Sequence, residues 1–250
     1  MYMDCQEISH QYISSGDTVI PEPEAQKICH QFGISCPATR LVTAAAACLG
    51  AAQEIGYPVV IKVASRQIIH KSDVGGVITG IQNSAQLADA YSRLLKNVRE
   101  RSPQAEIQGV LVQKQAPKGV EVVVGGLCNQ QFGPVVMVGL GGIYVEVFKD
   151  VAFRLAPLDK AEAGRQLQET KAFKLLQGVR GEKPCDVDAL CELIVNTGRL
   201  ISVLDGIAEI DFNPVFCYPQ GCTVVDARMV LKPSIGADRK TKCAAVGLQP

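Results

Sequence analysis

The stretch Ile61–Val77 reads IKVASRQIIHKSDVGGV. Lys62 interrupts an apolar run, and one short loop then carries His70, Lys71, Ser72, an aspartate and the adjacent glycines Gly75 and Gly76. Alternate residues of a strand share a face, so Val59, Ile61 and Val63 line one side while Lys62 stands with Val60 and Ala64 on the other. A lysine there must reach solvent or meet an anion, because burying it unpaired is costly. The glycine pair lets the backbone turn amide groups into an anion-holding concavity, to which Lys71 and Ser72 add donors. A half-exposed lysine followed by an ordinary glycine turn is the competing reading. His70, one of three histidines, is either a surface or packing residue or a neutral imidazole suited to carry a phosphoryl group.

Outward from this loop the chain alternates helices with adjacent strand pairs, which predicts an α+β fold rather than a doubly wound parallel sheet. Residues 1–20 show no sustained period and are read as an N-terminal extension. Ala25, Ile28, Cys29 and Phe32 mark a helix that Gly33 ends, and Thr43 opens an alanine-rich helix that Gly56 and Pro58 stop. VVIKVA and VITGI are strands on either side of the histidine loop. Ser84 caps a helix whose Leu87, Ala88, Tyr91, Leu94, Leu95 and Val98 repeat at helical spacing. A strand-rich block follows (GVLVQ, GVEVVVGG, GPVVMVG, YVEVF), read as antiparallel, then helices capped by Asp159 and Asp186. The strands IAEIDFNPVF and TVVDARM come last, and the tail from Pro233 is loosely held.

The 250 residues are 47% hydrophobic and 20% charged, with 25 basic side chains against 25 acidic ones. That balance describes a globular chain and gives no sign of a nucleic-acid or membrane partner. No apolar run approaches the roughly 20 residues that span a bilayer, and the N-terminus lacks the layout of a secretory signal, which predicts a cytoplasmic protein. The ten cysteines include no Cys-x-x-Cys pair and are read as reduced, with Cys29, Cys48, Cys128, Cys191 and Cys217 acting as small hydrophobes inside elements.

The last strand pair carries the most geometry. With Tyr218-Pro219-Gln220-Gly221 as a four-residue turn, Asn213 faces Asp226, Asp211 faces Arg228 and Cys217 faces Cys222. Opposed residues have Cβ atoms about 4.5–5.5 Å apart, close enough for an amide oxygen and a carboxylate to share a magnesium ion. A polar hairpin face with an Asp211–Arg228 ion pair is the alternative, and Pro214 predicts a bulge. Glu121, and the segment Val112, Gln113, Lys114 to Ala116, are candidates for the ribose and the base of a nucleotide; a plain strand connection explains them equally.

These residues together resemble the ATP-grasp subunit of ADP-forming acyl-CoA synthetases, also called acetate–CoA ligases (ADP-forming), relatives of succinyl-CoA synthetase. The likeness runs from about Ile20 to Leu231 and rests on PEPEAQKICHQFGISCP, GYPVVIKVASRQIIHKSDVGGV, FGPVVMVGLGG, LLQGVRG and the distant pair DFNP and VVDAR. It implies an ATP-grasp fold of two α+β lobes around a nucleotide, a first lobe over 21–107 with the His70 loop, a second over 108–232 with the hairpin, and a tail over 233–250. It also implies the reaction acyl-CoA + ADP + phosphate ⇌ acid + CoA + ATP. The partner would be a CoA-binding subunit or domain that forms its own phosphohistidine, in a heterotetramer. His70 takes the place of the histidine that relays phosphoryl to ADP, Lys62 that of the phosphate-contacting lysine, Glu121 that of the nucleotide-binding acid, and Asn213 and Asp226 those of the magnesium ligands. Family members commonly read Gln-Glu-Met where this chain has Gln113-Lys114-Gln115. That departure motivates one alternative, a non-catalytic nucleotide-sensing module; a third reading, an ATP-grasp ligase joining a carboxylate to an amine, leaves His70 unexplained.

Overall fold

The computed structural model describes residues 3–68, 70–142, 150–179 and 181–233. The chain opens with helix α1 (Met3–Ser14) and the two-residue strand β1 (Val19–Ile20), which pairs Val19 with Val230 and Ile20 with Met229 near the other end of the chain. Residues 1–20 are therefore no mere extension. Cys5, Ile8, Tyr12 and Ile13 recur at helical spacing and reach the large hydrophobic core, but the polar residues between them, including buried Ser9, hide the stripe in the sequence. Helix α2 (Glu22–Gln31) follows Pro21 and buries Ala25, Ile28 and Cys29 in that same core, with Phe32 beside them.

Next comes the smaller lobe: β2 (Thr39–Val42), α3 (Ala45–Ile55), β3 (Val59–Ala64), β4 (Val77–Ile81), α4 (Ser84–Arg101) and β5 (Gly109–Lys114). Its antiparallel sheet runs β2-β5-β3-β4, and α3 and α4 cover one face, where Val59, Ile61, Val63, Val110 and Val112 meet Leu87, Leu94 and Val98. Ala90 is buried in place of the expected Ala88. The cap of α4 is Asn83 rather than Ser84, its side chain accepting the Gln86 N–H at 3.0 Å. No side chain caps α3, which starts after Ala44.

The lobe boundary differs from the expected 107/108 division. β5 pairs with both β2 and β3, setting Leu111 opposite Lys62 and Gln113 opposite Val60. Both of its faces are buried, so it needs neighbours on each side, while the polar stretch before it resembles a linker. α2 likewise belongs to the larger lobe.

That lobe continues through β6 (Val120–Asn129), β7 (Gly133–Leu140), β8 (Val151–Leu155), α5 (Lys160–Gln168), α6 (Ala172–Leu176), α7 (Val187–Val203), β9 (Ile207–Cys217), β10 (Cys222–Val224) and β11 (Ala227–Leu231). Its antiparallel sheet is ordered β1-β11-β9-β6-β7-β8, with β10 also on β9. Asp159 caps α5 by accepting the Glu162 N–H at 2.7 Å, and Asp186 caps α7 through the Ala189 N–H at 2.9 Å. Leu190, Leu193, Ile194 and Ile201 of α7 enter the core. The expected strand over 144–148 and the tail beyond Pro233 lie outside the described residues. Among those described, no helix is long and apolar enough to cross a membrane.

Candidate functional site

The face of the small sheet opposite its helices meets the larger lobe. Lys62 is only 3% exposed there, and the protein supplies its anion: Nζ donates to Glu22 Oε1 at 2.7 Å and to the Val225 carbonyl at 2.9 Å, with Asp226 Oδ2 at 3.9 Å. Lys71, beside His70, reaches the same place, its Nζ lying 3.3 Å from both Asp226 carboxylate oxygens. It also lies 3.2 Å from Glu22 Oε2, an ion-pair contact without hydrogen-bond geometry. The lysines come from one lobe and the carboxylates from the other, so the cluster forms an ionic bridge between lobes. Burial pushes the Glu22 carboxyl up despite Lys62. Burial also opposes ionisation of Asp226, but Lys62 and Lys71 outweigh it and hold that carboxyl below the ordinary range. Burial works against the Lys71 ammonium too, yet Asp226 and Glu22 raise it. Glu22 is absent from the sequence-derived candidates. The signal was there: a buried lysine demands a carboxylate, and PEPEA places one in the first turn of a helix, where the macrodipole favours it.

The histidine loop differs from expectation in one respect. Its amides turn inward: Gly75 N–H donates to Ser72 O at 3.0 Å, Gly76 N–H to Lys71 O at 2.7 Å, and Asp73 N–H to His70 O at 3.3 Å. They hold the loop's own shape instead of forming an open anion concavity. The glycines are required for fit. Gly75 has φ +65°, and a Cβ at Gly76 would sit 2.6 Å from Val63 Cγ1 and 2.9 Å from the Lys71 carbonyl. His70 and Ser72 are exposed. Arg66, at the start of the loop, pairs with the buried carboxylate of Asp17 in the other lobe, a second bridge that the sequence did not reveal.

A cleft of about 420 Å³ lies where the chain crosses from β5 to β6, lined by Pro37, Pro58, Lys114, Ala116, Tyr218 and Thr223 among others. Its volume suits a small organic ligand. Val112 is not at its wall, because its side chain is fully buried in the small-lobe core. Gln113 is turned into the ionic bridge, donating to Thr39 Oγ1 at 3.1 Å and the Val225 carbonyl at 3.2 Å. Lys114 donates to the carbonyls of Gly56 and Tyr57 at 2.9 and 2.8 Å, past the C-terminus of α3, where a cation is favoured. Gln115 accepts the Gly80 N–H at 2.7 Å. The unusual Lys114-Gln115 pair thus has structural work. Glu121 is exposed on β6, opposite Phe216 of β9.

The hairpin keeps its expected register: Arg228 opposite Asp211, Cys222 opposite Cys217, and the Asn213 N–H donating to Asp226 O at 3.2 Å. Cys217 and Cys222 are free thiols. The expected bulge at Pro214 appears on the β6 side of β9, where the register shifts as Phe212 and Val215 pair with Val124 and Val122; on the hairpin side the Pro214 carbonyl accepts the Val225 N–H at 3.0 Å, the peptide bond before Pro214 is cis, and a further register step falls at Val230/Leu231. An ionised carboxylate with an amide opposite it is an oxygen donor set that fits a hard divalent cation. Asp211 is different: burial pushes it up to about 6, beyond what Arg228 offsets, with Glu209 and Asp226 adding to the rise and His70 opposing it.

Comparison with known proteins gives the family of the chain. Residues 11–231 match the ATP-grasp domain. The chain is 45% identical over 210 residues to the beta subunit of acetate–CoA ligase (ADP-forming) I of Pyrococcus furiosus, covering 84% of this chain and 90% of that one. It is 42% identical over 226 residues to acetate–CoA ligase (ADP-forming) I of Archaeoglobus fulgidus, covering 90% of this chain but 33% of that longer protein. The solved structure of the dinucleotide forming acetyl-coenzyme A synthetase 1 of Ca. Korarchaeum cryptofilum, in complex with coenzyme A, Ca-AMPCP and HgCl+, matches with a TM-score of 0.89 at 42% identity, covering 91% of this chain and 99% of that one. The chain therefore belongs to the ATP-grasp family, among the beta subunits of ADP-forming acetate–CoA ligases and their single-chain relatives.

Proposed function

We propose that this chain is the nucleotide-binding subunit of a cytoplasmic ADP-forming acyl-CoA synthetase, acting with a CoA-binding partner in a heterotetramer. The overall reaction is acyl-CoA + ADP + phosphate ⇌ acid + CoA + ATP. One observation carries this reading: Lys71, next in the chain to His70, reaches across the lobes to Asp226. The histidine loop, the two lysines and the hairpin carboxylate thereby share one place.

In this reading a ring nitrogen of His70 attacks the phosphorus of the partner's phosphohistidine, the partner's N–P bond breaks as the His70 N–P bond forms, and the partner imidazole leaves neutral. A terminal phosphate oxygen of ADP then takes the phosphoryl group from His70. Lys62 and Lys71 neutralise phosphate charge, and the cleft beside Lys114 and Ala116 accepts the base, with Glu121 near the ribose. Asn213 and Asp226 would hold a divalent cation, magnesium by its preference for few protein oxygens, which supplies further charge neutralisation. Positioning and neutralisation are most of what phosphoryl transfer asks of a protein. The structural roles of Lys114 and Gln115 remove the motive for a sensing module.

The test is incubation with magnesium and γ-labelled ATP. Acid-labile, base-stable label on the wild-type chain that is absent from His70→Ala, and that returns to ADP as ATP, is the expected result. Label of the same amount on His70→Ala would overturn the reading.

A further inference from the structure

Lys62 belongs to the small sheet, yet both groups that hold its ammonium belong to the other lobe. Glu22 Oε1 at 2.7 Å sits in the first turn of α2, and the Val225 carbonyl at 2.9 Å precedes Asp226. α2 is itself anchored, since Ala25, Ile28 and Cys29 are wholly buried in the large core. Gln113 braces both acceptors, its Nε2 lying 3.5 Å from Glu22 Oε1 and 3.2 Å from the Val225 carbonyl. An ammonium has three donors. Two are thus fixed by a rigid, large-lobe frame, and the third makes no hydrogen bond, with Asp226 Oδ2 3.9 Å from the nitrogen. Glu22 also supplies charge: without it, Lys62 and Lys71 would share the single carboxylate of Asp226, the group a cation would claim.

We infer that Glu22 is a positioning residue that sets the place and charge of Lys62 for phosphate contact. It touches no substrate and acts through the lysine. The inference rests on the nucleotide-site reading above. A carboxylate that merely ties the lobes together would go on doing so through Lys71 when Lys62 is gone.

A double-mutant comparison on the full chain separates the two, because coupling appears only between groups that act through one another. The probe is ADP with magnesium, titrated by calorimetry into wild type, Glu22→Gln, Lys62→Gln and the double variant, up to millimolar nucleotide so that weak binding is still read. Glu22→Gln is expected to weaken binding roughly tenfold in the wild-type background, the size of a lost charged hydrogen bond. In the Lys62→Gln background the same change is expected to alter affinity less than about twofold. Equal weakening in both backgrounds, or none in either, overturns the inference while leaving the nucleotide site intact. Wild type that binds no nucleotide overturns the site reading and the inference with it. If Glu22→Gln does not stay folded, Glu22→Asp, which keeps the charge but withdraws it, is measured in the same two backgrounds against the same criteria.

Discussion

Lys62 and His70 stand eight positions apart in one stretch of chain, and their surroundings are opposite. Lys62 is 3% exposed and gripped by a carboxylate and a carbonyl from the facing lobe. His70 is exposed, and the hydrogen bond holding its part of the loop uses only its backbone carbonyl. The difference suits the tasks proposed for them. A group that marks a fixed position can be enclosed, provided its counter-charge is enclosed with it. A group that must receive and hand on a phosphoryl must stay open to both donor and acceptor.

The comparison predicts that the two residues fail in different ways. His70→Ala should lower ATP formation in the complex with the CoA-binding partner by at least about a thousandfold. Its unfolding free energy in urea should stay within about 0.5 kcal/mol of wild type, as for an ordinary surface change; a clear loss of stability would break the contrast. Lys62→Met should instead unfold at lower urea, losing about 3 kcal/mol because the buried Glu22 carboxylate then keeps Lys71 as its one cationic contact among the described residues. A variant as stable as wild type would mean the ionic bridge does not hold the lobes.

Asp211 sharpens the contrast through pH. Its folded pKa of about 6 lies above the unfolded value of about 3.9, so the native state binds the proton more tightly. Its contribution to stability is therefore present below about pH 4 and is lost as pH rises through about 6. Replacing it with Asn should remove that slope, leaving the variant about 2–3 kcal/mol more stable relative to wild type at pH 7 than at pH 4. Urea titrations at the two pH values check this, and a constant difference between variant and wild type would refute it. The smallest effect is expected at Asp186, which caps α7 and also accepts the Gly221 N–H at 3.0 Å. Asp186→Ala should cost about 1 kcal/mol by thermal unfolding, with ADP affinity unchanged; weakened ADP binding would tie the α7 cap to the site.

The residues that could be read from sequence were those whose partners lie close in the chain. The hairpin from Asp211 to Arg228 is one turn long, so period two and the turn length set its register. The caps at Asp159 and Asp186 act on amides three residues away. The residues that could not be read depend on distant partners. Glu22 acquires its role only when the lobes meet, and β5 joins the small sheet because β3 lacks a neighbour on one side, which no local pattern expresses. The loop amides around Gly75 and Gly76 were misread for a related reason: a glycine pair signals a tight backbone path, but not which way its N–H groups point. α1 was missed because its buried stripe is narrow and includes Ser9.

The pairing of Val19 with Val230 orders events during synthesis. The small lobe is contiguous, so its sheet can close soon after residue 114 leaves the ribosome. The large sheet cannot: β1 and α2 emerge early, yet the strand that pairs with β1 is made near the end. Until then Glu22 and the edge of β9 are exposed on an unfinished surface, and contacts this far apart in the chain form slowly. The lobe that supplies the site's carboxylates is thus the last to take shape, and the nascent chain carries its lysines for some time before Asp226 is made.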